Sequence, residues 1–243
     1  MQQARTIYNK RFSTNDVMIV SSVEGEWKAN PEYDDLVNTI WKEKEYLAKE
    51  DGVKIWDGIY YRVANLDQIE ESGELSFELS TVPYRYIATA QDLSNSFIAN
   101  KFESLNHLST AAMIRTSDGR YIFGKRSRNG VLDVIGGGAQ QDEMVIKEGI
   151  DLERNLRKEM LEETGIQDSQ IELIQPIGIV HSITTNIIFV SLVQLNISQS
   201  QMSDIFKNRL EDEMSDLVYV PEAEIKTFLN EMPSYRPLIV DLL

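Results

Sequence analysis

Apolar residues recur along this chain at two spacings, and together they predict strands and helices in alternation. Residues 31–49 carry Leu36, Ile40, Trp41, Tyr46 and Leu47 at helical intervals, which predicts an amphipathic helix. Alternating or short apolar runs predict one or two strands within 6–23 and further strands at 54–63 and 74–81, the last two separated by the polar stretch 67–73. A short helix is expected over 92–102. From residue 110 onward the pattern is more regular. A hairpin over 111–126 turns at Ser117-Asp118-Gly119, and a short apolar strand runs into Gly136-Gly137-Gly138. A helix follows and stops at Gly165, then strands at 171–180, 182–195 and 217–220, then a final helix. The order predicts an α/β fold. We expect a boundary near residue 105, with a smaller α+β domain over 1–105 and a second domain over 106–243. The first part carries Trp27, Trp41, Trp56 and many tyrosines, too much aromatic surface for a solvated tail.

The helix before Gly165 holds the strongest chemical signal. It contains Lys158-Glu159-Met160-Leu161-Glu162-Glu163-Thr164-Gly165-Ile166. At helical pitch, Glu159, Glu162 and Glu163 fall within an arc of about 100°. That arc borders an apolar stripe of Leu152, Leu156 and Met160. Two carboxylates about 5 Å apart repel by roughly 3 kcal/mol at an effective dielectric near 20. Such a cluster beside a core calls for a cation, and oxygen-ligated Mg²⁺ suits it. The competing reading is a solvated acidic face, with Lys158 paired to Glu162 one turn on.

Composition narrows the classes. With 42% hydrophobic and 26% charged residues, the chain reads as an ordinary globular protein. A net charge of −15 argues against broad nucleic-acid binding, which needs a basic surface. No cysteine is present, so disulfides and thiol chemistry are excluded. No run reaches the ~18 apolar residues of a membrane span, and the first residues lack an apolar signal region. The expected setting is cytoplasmic, without membrane or nucleic-acid partners.

The segment from Lys158 to Ile166 resembles the Nudix hydrolases. Their signature is Gly, five residues, Glu, seven residues, then Arg-Glu-apolar-x-Glu-Glu-x-Gly-apolar. The second half matches with Lys158 in place of Arg. The first half departs: strict counting puts Met144 at the glycine and Ile150 at the first glutamate. An insertion restores the pattern, with Gly138 as the family glycine and 139–148 as an enlarged loop. The resemblance implies an α/β/α sandwich with a mixed sheet and a divalent metal, Mg²⁺ or Mn²⁺. It implies Glu159, Glu162 and Glu163 as metal ligands, and a diphosphate-bond hydrolase that can be a homodimer. The supporting Glu–Arg pair of the family is changed to Ile150 and Lys158, with Glu148 or Glu153 as replacements.

A second resemblance lies in Lys54-Ile-Trp-Asp-Gly-Ile-Tyr-Tyr-Arg62 and Leu75-Ser-Phe-Glu-Leu-Ser-Thr-Val-Pro-Tyr84. These strings are similar to the leader of the Nudix branch that hydrolyses UDP-glucose and UDP-galactose. It implies a UDP-sugar substrate, giving UMP and sugar 1-phosphate. ADP-ribose or dinucleotide hydrolysis is the alternative within the family, and a non-catalytic nucleotide-binding regulator the alternative outside it.

Further residues complete the expected site. The glycine triplet lacks the Lys-Ser/Thr of a Walker loop and the spacing of a Rossmann fingerprint, so close backbone approach is its expected use, with Gly138 at the substrate and a carbonyl of Gly137 or Gly138 as a ligand. Arg126 and Arg128, with Lys125, precede the glycines and are candidates to hold a diphosphate. Glu211-Asp212-Glu213 reads either as a surface loop or as the source of a further carboxylate, Glu213, acting with Glu162 and Glu163 in catalysis. His181 and His107 are expected to be structural.

Overall fold

One strand, His107–Arg115, is buried along both faces up to Arg115, as a strand flanked by two other layers must be. It pairs in parallel with Asn186–Leu195 and antiparallel with Arg120–Arg126 and Ile59–Val63. The computed structural model describes residues 4–12, 18–20, 27, 31–50, 52, 55–67, 69, 75–93, 105–141, 145–146, 149–182 and 186–243.

In chain order the strands are Arg5–Tyr8 (β1), Met18–Val20 (β2), Ile59–Val63 (β3), Ser76–Pro83 (β4), His107–Arg115 (β5), Arg120–Arg126 (β6), Leu132–Asp133 (β7), Val145–Ile146 (β8), Gly149–Ile150 (β9), Ile171–His181 (β10), Asn186–Leu195 (β11) and Met214–Pro221 (β12). The helices are Pro31–Glu50 (α1), Tyr84–Asp92 (α2), Leu152–Thr164 (α3), Gln199–Phe206 (α4) and Ile225–Glu231 (α5), with a 3-10 turn over Arg236–Asp241. The main sheet runs β1-β10-β11-β5-β3-β4-β2, and β6 branches from β5 to carry β12 and β7. Parallel pairs β11–β5 and β2–β4 among antiparallel ones make it a mixed sheet.

The period-two alternation of β5 builds two layers. Ala112 and Ile114 pack with Leu156 and Met160 of α3 and Met202 of α4. Ala111 and Met113 face the other way, against Ile225 and Leu229 of α5 and Tyr235, Ile239 and Leu242 near the C-terminus. Helices on both faces of a mixed sheet give the α/β/α arrangement. Strands on both sides of residue 105 join this one sheet, and one core cluster combines Tyr61, Val63, Phe77 and Leu79 with Leu108, Ile179, Ile187 and Phe189.

A helix that was not expected, α2, runs over Tyr84–Asp92, and the one expected over 92–102 lies almost wholly outside the described residues, which lack 94–104. Pro83 ends β4 and stands at the N-cap of α2, because its fixed φ and missing N–H suit a first helical turn. Tyr86, Ile87 and Ala90 then pack with Val37 of α1, Val82 and Leu105. In the enlarged loop, β8 pairs with β9 just beyond its end as a small ribbon, while Met144 and Glu148 lie outside the described residues. The strand expected after residue 131 is only β7. Its continuation leaves β6 and bridges to β5 at Ile135–Ala112 and Gly138–Ser109. No helix of the described residues is long and apolar enough to cross a membrane.

Candidate active site

Residues 135–140 are threaded between two strands by backbone hydrogen bonds. On one side, Ala112 N–H donates to the Ile135 carbonyl at 2.8 Å, Thr110 N–H to that of Gly137 at 2.9 Å, and Ala139 N–H to that of Leu108 at 2.8 Å. On the other, Tyr61 N–H of β3 donates to the Ala139 carbonyl at 2.8 Å. The glycine turn is therefore fixed by both halves of the chain.

Each glycine of the triplet has its own reason. Gly136 has φ +149°, and a β-carbon there would collide with the Thr110 backbone. A β-carbon on Gly137 would stand 2.5 Å from the Glu159 carboxylate, and one on Gly138 would stand 2.8 Å from the Tyr60 ring. The carbonyl of Gly137, expected as a ligand, already accepts from Thr110 N–H and, at 3.4 Å, from the Asn155 side chain.

The facing wall is α3. Asp151 caps it by accepting from Arg154 N–H at 2.9 Å, and Gly165 ends it in the left-handed conformation at φ +80°. Leu152, Leu156 and Met160 face the core, which turns the acidic edge toward the glycines. Glu163 is 1% exposed and accepts from Gly136 N–H at 3.0 Å. Glu159 is 14% exposed and lies against Gly137. Glu162 is 24% exposed, with Lys158 Nζ at 3.0 Å from it and 3.7 Å from Glu159. Glu153, a candidate to replace the missing support, pairs instead with Arg157 at 2.6 Å.

Burial dominates the electrostatics. It raises the Glu163 carboxyl to about 9, with the charge of Arg126 opposing and those of Glu213 and Glu159 adding. It raises Glu159 to about 7, with Lys158 opposing and Glu162, Glu213 and Glu211 adding. Both groups hold their protons far above ordinary carboxyls. A hard divalent ion suits these oxygen donors, because it favours the charged form that burial disfavours. Among the described residues, no three His, Asp or Glu side chains close around one point at ligand spacing.

Arg126 is the hub of the counter-charge. It reaches Glu163 at 3.5 Å and Asp133 at 3.3 Å, and it is in contact with Glu213. Asp133 is also held by Arg236, whose Nε donates to it at 3.1 Å. Glu213 arrives because the 210–213 loop docks on α3: Leu210 and Glu211 N–H donate to the Glu162 carbonyl at 3.2 and 3.0 Å. Ser127 N–H then donates to the Glu213 carbonyl at 2.8 Å. Glu213 remains 46% exposed. Arg128 is exposed and forms no ion pair among the described residues.

The structure thus brings Glu159, Glu163, Arg126 and Glu213 toward the turn that holds Gly138, with Arg126 engaged by three carboxylates rather than open, while the Glu162 side chain pairs with Lys158. Asp133, Asn155, Tyr60 and Tyr84 lie beside the turn without a motif in the sequence that marks them for it. Only Asp133 had a local signal, an acid inside a short apolar strand. Both histidines are buried, His107 under Gly138: burial lowers His107 to about 3, and burial with the charge of Arg5 lowers His181 to about 4.

No family model matches the sequence, and no curated protein matches it. Solved structures similar over part of the chain include a MutT protein from Methanosarcina mazei Go1. It is 19% identical, covers 56% of this chain and 90% of its own, and has a TM-score of 0.36. A NUDIX hydrolase from Nitrosomonas europaea is 17% identical over 56% of this chain and 84% of its own, with a TM-score of 0.36. An ADP-ribose pyrophosphatase from Streptococcus suis 89-1591 is 16% identical over 56% of this chain and 90% of its own, also with a TM-score of 0.36.

Proposed function

We propose that this protein is a divalent-metal-dependent hydrolase of the diphosphate bond in a nucleoside diphosphate linked to a second group. The observation that supports it is geometric: Glu159 and Glu163, 14% and 1% exposed, lie on one helix edge against Gly137 and Gly136, where burial pushes both carboxyls up. Carboxyls perturbed by burial cluster at binding and catalytic sites.

Glu159 and Glu163 would hold the ion, with Glu162 beside them. When bound, a divalent ion supplies Lewis acidity to a diphosphate. The chain does the rest. Gly137 and Gly138 let the substrate approach the backbone. Arg128 offers an exposed cation to the diphosphate. Arg126 fixes Glu163 and Glu213 in place, and Glu213 or Glu162 takes the proton from the attacking water. Residues 106–243 would form the catalytic unit, and residues 1–105 an accessory α+β unit built against it.

Within this reading, the resemblance of the 54–62 and 75–84 strings favours a UDP-sugar as substrate, giving UMP and sugar 1-phosphate. The test is kcat/KM with Mg²⁺ for UDP-glucose, UDP-galactose, ADP-ribose, NADH and diadenosine polyphosphates in parallel. A preference for a UDP-sugar of about 100-fold supports the full reading, since several unpaired buried polar groups add at about 1–3 kcal/mol each. A preference for ADP-ribose keeps the hydrolase and removes the UDP-sugar. Hydrolysis of none of them removes the enzyme.

A further inference from the structure

Behind Glu163 a row of alternating charges leads away from the glycine turn to the 3-10 turn over Arg236–Asp241. Each inner member divides its polar atoms between its two neighbours. Glu163 accepts from Gly136 N–H on Oε2 at 3.0 Å and from Arg126 Nη1 on Oε1 at 3.5 Å. The same Arg126 nitrogen touches Glu213, while Nη2 donates to Asp133 Oδ2 at 3.3 Å. Asp133 keeps Oδ1 for Arg236, which donates to it from Nε at 3.1 Å and from Nη2 as well. Val134 N–H adds a donor to that oxygen at 2.8 Å.

The far end of the row is anchored. Arg236 Nη1 donates to the Pro233 carbonyl at 3.2 Å, and the guanidinium lies over the Tyr235 ring, 4.6 Å from its centroid. Tyr235 belongs to the core cluster that holds Ala111 and Met113 of β5, and Val134 beside Asp133 belongs to it too. The side chains of Arg236 and Asp133 are 12% and 16% exposed, so solvent ions screen their contact little. Arg126 is more open, and three carboxylates compete for it. Its place among them is set by how firmly Asp133 is held. A guanidinium that only fastened the C-terminal turn could take both oxygens of a carboxylate in a fork. Arg236 instead puts two donors on one oxygen and leaves the other to Arg126.

We propose that Asp133 and Arg236 are positioning residues for Glu163: Arg236 fixes Asp133, Asp133 fixes Arg126, and Arg126 orients the Glu163 carboxylate at the ion site. The inference rests on the divalent ion of the proposed hydrolase, but it concerns what orients that site rather than what the site cleaves. Groups that hold a metal ligand from behind carry about 10–100-fold of metal affinity.

The test is calorimetric titration of the full chain with Mg²⁺, with urea unfolding run alongside. Arg236→Met keeps an unbranched stem over Tyr235 but frees Asp133 to draw Arg126 away from Glu163, and should weaken Mg²⁺ binding by about 10-fold. Arg236→Lys returns a cation to Asp133 and should recover most of that loss. With Arg126→Gln already in place, Arg236→Met should change Mg²⁺ affinity by less than about 2-fold, because the link it acts through is gone. Tighter Mg²⁺ binding by Arg236→Met would mean that the guanidinium acts only as a charge repelling the ion, and overturns the proposal. Unchanged binding in a protein that merely unfolds at lower urea makes Arg236 a structural clamp, and overturns it too. Should Arg236→Met not fold, Asp133→Asn combined with Arg236→Met takes its place, since removing both partners leaves no buried charge unpaired and the local net charge unchanged. That pair should also bind Mg²⁺ about 10-fold more weakly, and unaltered affinity would refute the relay. Mg²⁺ affinity that depends on Arg236 in a protein that cleaves no diphosphate keeps the relay and removes the hydrolase. Diphosphate cleavage with Mg²⁺ affinity indifferent to Arg236 does the reverse, and a protein that takes up no Mg²⁺ removes both.

Discussion

The carboxylate of Glu159 lies in the space that a β-carbon on Gly137 would need, 2.5 Å from that position. The neighbouring glycine meets backbone instead, at Thr110, and has a φ that side chains avoid. The two alanine substitutions should therefore separate. Gly137→Ala displaces the end of a flexible side chain, so it should cost about 1 kcal/mol of stability and at least ~10-fold in kcat/KM. Gly136→Ala should destabilise by about 3 kcal/mol or more, because strain and overlap add. Urea unfolding and turnover of both proteins check this. Equal stability of the two variants would contradict it.

Arg126 is the shared partner of Asp133, Glu163 and Glu213. Arg126→Gln removes the charge that holds all three, and should destabilise the protein by about 1–3 kcal/mol near neutral pH. Part of that loss should return in the double variant with Glu213→Gln, since the second change removes an uncompensated acid. A double-mutant cycle in urea measures the coupling, expected at about 0.5 kcal/mol or more. Purely additive losses would mean the contact contributes nothing.

The raised carboxyls set a direction for pH. Glu159 and Glu163 bind protons in the folded state up to about 7 and about 9, but release them near 4.5 when unfolded. Between those limits the folded state holds more protons, so stability falls as pH rises. In chelator, Tm should decline from pH 5 to pH 9, with the slope easing above 7 as Glu159 ionises in both states. Glu163→Gln should flatten the decline and melt higher than the unaltered protein at pH 8. A Tm that rises over this range would refute the assignment of buried, protonated acids.

The same substitution should act oppositely on function. Glu163→Gln keeps the shape that accepts Gly136 N–H but supplies no anion, so Mg²⁺-dependent turnover should fall by ~100-fold or more. Glu162→Gln, at a more exposed position already paired with Lys158, should cost less in Mg²⁺ affinity. Calorimetric Mg²⁺ titration and kcat for both variants test the ranking. A Glu162→Gln protein that loses more Mg²⁺ affinity than Glu163→Gln would reverse the assigned roles.

The carboxylate edge of α3 was legible in the sequence because helix geometry is local. Glu159 and Glu163 share a face with spacing alone to show it, and Gly165 marks the end of the helix. What was not legible came from pairings distant along the chain. Nothing near Tyr60 indicates that its strand meets the glycine turn, because strand partners are chosen by the whole sheet. The helix Tyr84–Asp92 was not expected, because the strand reading stopped at 81 and Pro83 was not read as the start of a next element. Glu213 could be singled out among three adjacent acids, but not its route to the site, which depends on the docking of 210–211 on Glu162 and on Arg126.

The bond from Tyr61 to the Ala139 carbonyl also orders events in time. Arg126 and Glu213 are 87 residues apart, and Asp133 and Arg236 are 103 apart. Contacts of that separation form only after the intervening chain has been closed into loops, at an entropic cost that local pairs do not carry. The β5–β6 hairpin and the α3 helix can form from their own neighbours. The glycine turn acquires both of its borders only when β3 has joined β5. During refolding, signals from helix and hairpin should therefore precede competence of the site, and an emerging chain should gain that competence only once residues 210–236 are available.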